Sequence, residues 1–447
     1  MSDRLVAGID LGSTAIKLLV LDEDGNEIVL EEIPTPWRSG PGGSSDLPVE
    51  GLIDVLNRLV AGATRRLAAI TDRAIEAIAI SGMGESGVLL DPDRVPVAPV
   101  FAWFDPRGGE QAAAFPSEIR TSFAGRTGLP LSAQVTVAKL AHLRDGGVAL
   151  AGHRWLNLPE FVATLLGARQ TAELSLTSRT GLLDQDTGQA WDAMLDEIGA
   201  DRDLLAPLEP AGIDLGVVAA TFGSGIAGAR IAVAGHDHLV AAEAGGALAP
   251  DHYYVSMGTA EVLLRVVDAP LGYAARTRLA DYLINEVRHV VPGKHVLVAG
   301  VKTGLLLRRV LQTCGITDRD GRDRLDASVC ERPPEGTLPA GGLTVSGARN
   351  DDGALALTVQ TDGVDPAELF SAVLRHSNDE IERLIAALDA ELPPARSTTL
   401  TGGWAGMNSV RRARALILPA LTVSPHAQET AFGAARTAAR LLPAPAR

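Results

Sequence analysis

The chain has 447 residues, 46% of them hydrophobic and 21% charged, which is the composition of a globular protein of two or three domains and not of a disordered one. Against 40 Lys and Arg stand 55 Asp and Glu, a formal charge of −15, and only 4% of residues are aromatic. An acidic surface repels phosphate backbones and anionic lipid, and so few aromatics cannot build a base-stacking platform, so the sequence argues against nucleic-acid and membrane partners.

The opening MSDRLVAGID lacks a signal-peptide pattern, and no run of 18 apolar residues occurs. Cys314 and Cys330 form no CxxC pair and read as reduced thiols. The expectation is a soluble, cytoplasmic protein.

In chain order, residues 5–11 are an apolar run that reads as a buried strand. Gly12, Ser13 and Thr14 make a turn, residues 15–21 a second strand, Asp24-Gly25 a hairpin signal and residues 27–33 a third strand. This is a meander, not strand–loop–helix. Residues 34–48, rich in Pro, Gly and Ser, read as a loop. The spacing of Leu52, Ile53, Leu56, Leu59 and Val60 predicts a helix. Residues 74–80 and 88–90 read as short strands, 140–167 as mostly helical, 230–234 as a strand and 238–248 as a helix. At Ala249-Pro250-Asp251 the pattern restarts: SMGTAEVLLRVVD at 256–268 repeats the layout of DLGSTAIKLLVLD at 10–22, a Gly and a Thr between two apolar strands. The division is set at 1–248 and 249–447. Further on, Asp365-Pro366-Ala367-Glu368 supplies a cap, an initial Pro and an early Glu for a long helix ended by Pro393-Pro394. Residues 398–401 lead as a strand into Gly402-Gly403, residues 409–416 look helical, Glu429 opens a last helix, and 443–447 form a frayed tail. Strands alternate with helices, so the class is α/β.

Two stretches match GxGxxG, one from Gly82 to Gly87 and one from Gly223 through Ser224 to Gly228. A dinucleotide site needs a helix N-terminus directly after the glycines, and both stretches run into strands. Gly12, Ser13 and Thr14 form a turn whose N–H and hydroxyl groups can cradle a phosphate, with Asp10 at the strand end able to hold Mg²⁺ through water. The similar turn at Gly258-Thr259 suggests that two facing turns clamp one ATP. In Gly235-His236-Asp237-His238, Asp237 is either a helix cap or a general base at a strand end, and the two histidines lack further partners for a zinc cage. Asp105 and Arg107 are either a surface ion pair or ligands of substrate hydroxyls, with Trp103 stacking on a sugar face. The segment from Thr401 through Gly402 and Gly403 to Asn408 is a glycine turn that could let backbone approach a nucleotide.

In this order the motifs resemble those of the FGGY family of carbohydrate kinases. The resemblance implies two ribonuclease H-like (actin-like ATPase) domains with a cleft between them, and phosphoryl transfer from Mg·ATP to a hydroxyl of a small sugar or polyol. It implies Asp237 as catalytic base, Asp10 as the Mg²⁺ residue, and Gly12, Ser13, Thr14, Gly258 and Thr259 on the phosphates. Gly402, Gly403 and Asn408 would lie on the adenosine, and Glu85, Trp103, Asp105 and Arg107 on the substrate. A ketopentose such as xylulose is the favoured acceptor. A glycerol- or erythritol-like substrate and a non-catalytic sensor are the alternatives, and a homodimer is the assembly considered. Where glycerol kinases carry an Arg-Glu pair, this chain has Gly84-Glu85, so the arginine looks missing.

Overall fold

The computed structural model describes residues 4–223, 225–347, 355–425 and 427–443; Ser224 of the second glycine stretch and residues 444–447 of the expected tail lie outside them. Two sheets organise the chain. In the first, the order is Arg230–His236, Ile75–Gly82, Leu5–Leu11, Ala15–Asp22, Glu27–Pro34. Leu5–Leu11 runs antiparallel to Ala15–Asp22, which runs antiparallel to Glu27–Pro34; on its other side it pairs in parallel with Ile75–Gly82, and that strand in parallel with Arg230–His236.

The second sheet has the order Asn285–Arg288, His295–Val301, Glu261–Val267, His252–Met257, Ser397–Thr401, Leu421–Val423. Its first strand, His252–Met257, is again antiparallel to the next and parallel to a later one. The short sequence echo between 10–22 and 256–268 therefore marks the same place, the first hairpin, in two sheets of like pairing.

Alternation decides what each face of the first sheet meets. Leu5, Ala7, Ile9 and Leu11 point into a core with the helix Val49–Ala68, whose Leu52, Leu56, Leu59 and Val60 are buried there. Val6, Ala77, Ala79, Ala232 and Ala234 face the other way and are covered by the last helix, Glu429–Ala439, through Ala431, Ala434, Ala435 and Ala438. The small residues let backbones approach closely. A Cβ on Gly8 would run into the Ala431 carbonyl, so this contact requires glycine. The last helix thus returns from the second half of the chain to the first sheet.

Two expectations need correction, and a third needs a detail added. Residues 140–167 are not one helical stretch: a helix Thr136–Asp145 is followed by a strand, Arg154–Asn157, pairing with Gly87–Leu90, and then by a helix, Leu158–Leu166. Asn157 and Glu160 form a capping box that starts that second helix. The loop at 34–48 contains the short strands Arg38–Ser39 and Ser45–Leu47. The long helix does begin at Pro366 with Asp365 accepting from the Ala367 and Glu368 N–H groups, but the Glu368 carboxylate pairs with Arg332 and Thr337.

Candidate active site

The sheets bring their strand ends to one cleft, a cavity of about 450 Å³. The first turn is fixed from outside the hairpin. Thr35 Oγ1 donates to the Gly12 carbonyl at 2.7 Å and Trp37 Nε1 to the Ser13 carbonyl at 2.8 Å. Gly12, Ser13 and Thr14 line the cavity together with Asp10 and Lys17.

Asp237 enters from the neighbouring strand end. It is the first residue of the helix Asp237–Ala244 and directly follows the strand Arg230–His236. The chain turns there at Gly235, with φ 108°, where a Cβ would crowd Val290 and Ser175. Ser81 Oγ donates to the Gly235 carbonyl at 2.9 Å, and the His236 N–H donates to Ser175 Oγ at 3.1 Å. Ser175 Oγ in turn donates to Glu173 at 2.6 Å, and the Glu173 N–H donates to Glu160 at 2.7 Å. A buried polar chain therefore braces the strand end that presents Asp237.

Electrostatics separates the two cleft carboxylates. Burial alone would raise Asp237, but the adjoining His238 and His236 rings, the His238 N–H and Arg179 outweigh it and hold the carboxyl below its usual range. Asp10 is pushed up to about 7, first by burial and then by the negative charge of Asp237, with Lys17 opposing. His236, buried and brought down to about 3, stays neutral at working pH. Asp237 is thus an ionised acceptor, and Asp10 is a carboxyl whose charge wants a cation. Among the described residues no three His, Cys, Asp or Glu side chains gather as a metal cage. A single carboxylate completed by water and phosphate oxygens fits Mg²⁺, which keeps much of its hydration and is bound in that way.

The second turn sits across the cleft. The Gly258 N–H donates to the Ala260 carbonyl at 2.9 Å, and the Leu305 N–H, in the helix Thr303–Thr313, donates to the Thr259 carbonyl at 2.8 Å. Gly402 has φ 90°, and a Cβ there would lie 2.6 Å from the Met257 carbonyl, so only glycine lets the loop pass. Gly258, Thr259, Gly402 and Gly403 all line the cavity.

Glu85 and Trp103 line the same cavity. Glu85 adopts φ 59°, unusual for a residue with a side chain. Its carboxylate is buried and accepts from Arg179 Nε at 2.6 Å, with Arg179 Nη2 on the same oxygen. An arginine does stand beside Glu85, but it comes from position 179, after the short helix Leu174–Thr177. Nothing in the sequence links residues 94 positions apart. Sequence reasoning passed over Lys17 and Gln134, and read His236 only as a histidine short of a zinc cage and Glu429 only as a helix start; all four are in the lining. Lys17 alone carried a signal, being three residues past Thr14.

Three expected site residues are not brought to the cavity. Asp105 is 1% exposed and accepts from the Ser45 N–H at 2.7 Å and from Arg107. Arg107 also bonds Asp46 and lies over the Phe101 ring, with its Cζ 3.9 Å from the centroid. The pair ties the Ser45–Leu47 segment to the loop that carries Trp103. Asn408 is exposed at the start of the helix Asn408–Arg414, bonded to Asp326 and Arg411.

The profile of the FGGY family of carbohydrate kinases, N-terminal domain, matches residues 5–243. The chain belongs to the FGGY family of carbohydrate kinases. The xylulose kinase of Lactococcus lactis is 24% identical over 295 residues, 64% of this chain and 57% of that protein. The gluconokinase of Bacillus subtilis is 24% identical over 207 residues, 45% of this chain and 40% of that protein. The chain spans about half the length of the curated relatives it matches. Among solved structures, the xylulose kinase of Rhodospirillum rubrum superposes with a TM-score of 0.83 at 20% identity, over 98% of this chain and 89% of the other. This FGGY chain thus has the two-domain actin-like fold of those kinases.

Proposed function

We propose that this protein transfers the terminal phosphoryl group of ATP to a hydroxyl of a small, neutral, polyhydroxylated sugar, with a ketopentose such as xylulose as the favoured acceptor. The observation that carries the reading is Asp237, an ionised carboxylate braced at a strand end in a cleft that also holds both glycine turns. In this reading residues 1–248 and 249–447 are the two units, and the last helix is lent back to the first.

Asp237 takes the proton of the acceptor hydroxyl as that oxygen attacks phosphorus, and the bond to the ADP oxygen breaks. The Gly12-Ser13-Thr14 turn and the Gly258-Thr259 turn hold the phosphates with N–H and hydroxyl donors. Lys17 adds positive charge beside Asp10. Asp10 would hold Mg²⁺ through water, and the ion when bound neutralises charge on the phosphate oxygens. Gly402 and Gly403 give the nucleotide a wall without side chains. Glu85 and Arg179 present an acceptor and a donor side by side. A vicinal diol uses both, whereas a carboxylate would meet Glu85 without an unpaired cation, which supports a neutral acceptor over an aldonate. Such a reaction belongs in the cytoplasm, where ATP is made available.

The test is ADP release from Mg·ATP across ketopentoses, tetruloses, short polyols and gluconate, with Asp237→Asn alongside. One neutral substrate should give turnover that the variant lowers by roughly 10²–10⁴-fold. Turnover with gluconate alone would refute the acceptor assignment. Hydrolysis that is independent of any acceptor and survives the variant would remove Asp237 from its role.

A further inference from the structure

Glu85, Trp103, Gln134 and Arg179 reach one cavity from four separate stretches of chain. The start of the helix Thr136–Asp145 touches all four stretches. Thr136 Oγ1 donates to the Glu85 carbonyl at 3.2 Å, and the Val137 N–H donates at 2.9 Å to the carbonyl of Thr180, next to Arg179. A Cβ on Gly108, which has φ 96°, would lie 2.5 Å from the Ala138 carbonyl, so the chain that follows Trp103 passes this helix in close contact.

Lys139 makes the remaining links. It is 1% exposed. Its Nζ donates to the carbonyls of Gln134 at 2.8 Å, Ala133 at 3.1 Å and Trp103 at 3.3 Å. An ammonium has three N–H bonds and accepts none, so all three are spent on backbone. None is left for a ligand, and Lys139 is not in the lining of the cavity. A buried charge is costly to keep, and this one joins the two loops that present Trp103 and Gln134.

We propose that Lys139 is a positioning residue for the phosphoryl acceptor: its ammonium fixes Trp103 and Gln134 relative to each other, and so shapes the wall that they share with Glu85 and Arg179. The inference rests on the kinase reading above. It makes Lys139 act through those two residues, on the acceptor and not on the nucleotide.

The clamp depends on charge. A neutral amine has two N–H bonds and a lone pair, which would face the third carbonyl. Burial brings the Lys139 ammonium down to about 8, with Glu85 and Asp105 holding it up and Arg107 opposing them. Losing the proton therefore loosens the clamp within the range of an ordinary assay.

The experiment measures ADP release from Mg·ATP for the wild type, Lys139→Met and Lys139→Gln, with D-xylulose, L-ribulose, erythrulose and glycerol as acceptor probes. Lys139→Met should raise KM for the acceptor roughly ten-fold or more, with KM for Mg·ATP unchanged. Lys139→Gln, which keeps two N–H bonds, should recover part of the loss. From about pH 7 to about pH 9 the acceptor KM of the wild type should climb towards that of Lys139→Met, while the variant's own stays level. A parallel rise in both KM values, or an unchanged acceptor KM, overturns the assignment and leaves the kinase reading intact. If melting curves show that neither variant folds, the wild-type profile decides: a rise confined to the acceptor KM supports the assignment, and a level profile overturns it. A wild type that turns over none of the probes overturns both.

Discussion

Replacing Arg414 with Met should test how the Gly258-Thr259 and Gly402-Gly403 turns of the cleft are held together. Arg414 ends the helix Asn408–Arg414, which follows the Gly402-Gly403 turn, and its side chain is fully buried. Its guanidinium grips both oxygens of Glu261, Nε to Oε1 at 2.6 Å and Nη2 to Oε2 at 2.5 Å, and also donates to Ser377 Oγ at 2.9 Å and to Asn378 Oδ1. Glu261 is itself fully buried and opens the strand that follows the Gly258-Thr259 turn. Arg414→Met leaves a sealed carboxylate with no counter-charge, at a cost of about 3–5 kcal/mol. Divided by the unfolding entropy of a domain of some 200 residues, that is a fall in Tm on the order of 10 °C. Arg414→Met combined with Glu261→Met removes the stranded charge and should recover most of the loss, because a buried ion pair is worth little more than the apolar side chains that replace it. Urea unfolding of the wild type, both single variants and the double variant gives the coupling. The reasoning is refuted if Arg414→Met costs under 1 kcal/mol, or if the double variant is no more stable than the worse single.

The Glu85–Arg179 pair should act on the acceptor and not on the nucleotide. Arg179→Met should raise KM for the sugar roughly ten-fold through loss of a charge-assisted donor, with KM for Mg·ATP unchanged. Arg179→Lys should restore little, since an ammonium lacks the guanidinium fork. A parallel rise in both KM values would show that the pair only supports the fold. Glu160 gives a pH prediction. Burial raises its carboxyl from 4.5 to about 8 in the folded state, against the lowering effect of the Asn157 and Glu173 donors. Between those values the native state binds more protons than the unfolded state, so this stabilisation is present below about pH 4.5 and is lost as pH rises to 8. The wild type should therefore lose stability relative to Glu160→Gln across that window, by on the order of a few kcal/mol, in urea midpoints measured at successive pH values. A pH-independent difference would mean that Glu160 is ionised throughout.

Much of the first sheet is legible because local chemistry and final packing agree there. Residues 5–9 are apolar on both faces, and both faces are covered, one by the helix Val49–Ala68 and the other by the helix Glu429–Ala439. The strand Arg154–Asn157 is not legible: it has four residues between two helical patterns, and its identity comes from pairing with Gly87–Leu90, far away in sequence. The two turns and Asp237 are legible because a strand end, a glycine and a polar residue occur in series. Arg179 is not, because its partnership with Glu85 is made by tertiary folding alone. Asp105 and Arg107 show the opposite failure. Their spacing suits both a ligand pair and a structural ion pair, and only burial tells the two apart.

The return of the last helix to the first sheet bears on how the protein is made. Strands of that sheet leave the ribosome first, yet the face formed by Val6, Ala77, Ala79, Ala232 and Ala234 is covered by residues 429–439, some 200 residues later than the last of those strands. Until then an apolar, close-packing surface on a nascent half-protein is bare, and such surfaces are where partly made chains stick to one another or are held by chaperones. A fragment ending near residue 248 would keep that surface exposed permanently. The same fragment supplied with a peptide of residues 427–443 would regain its missing cover.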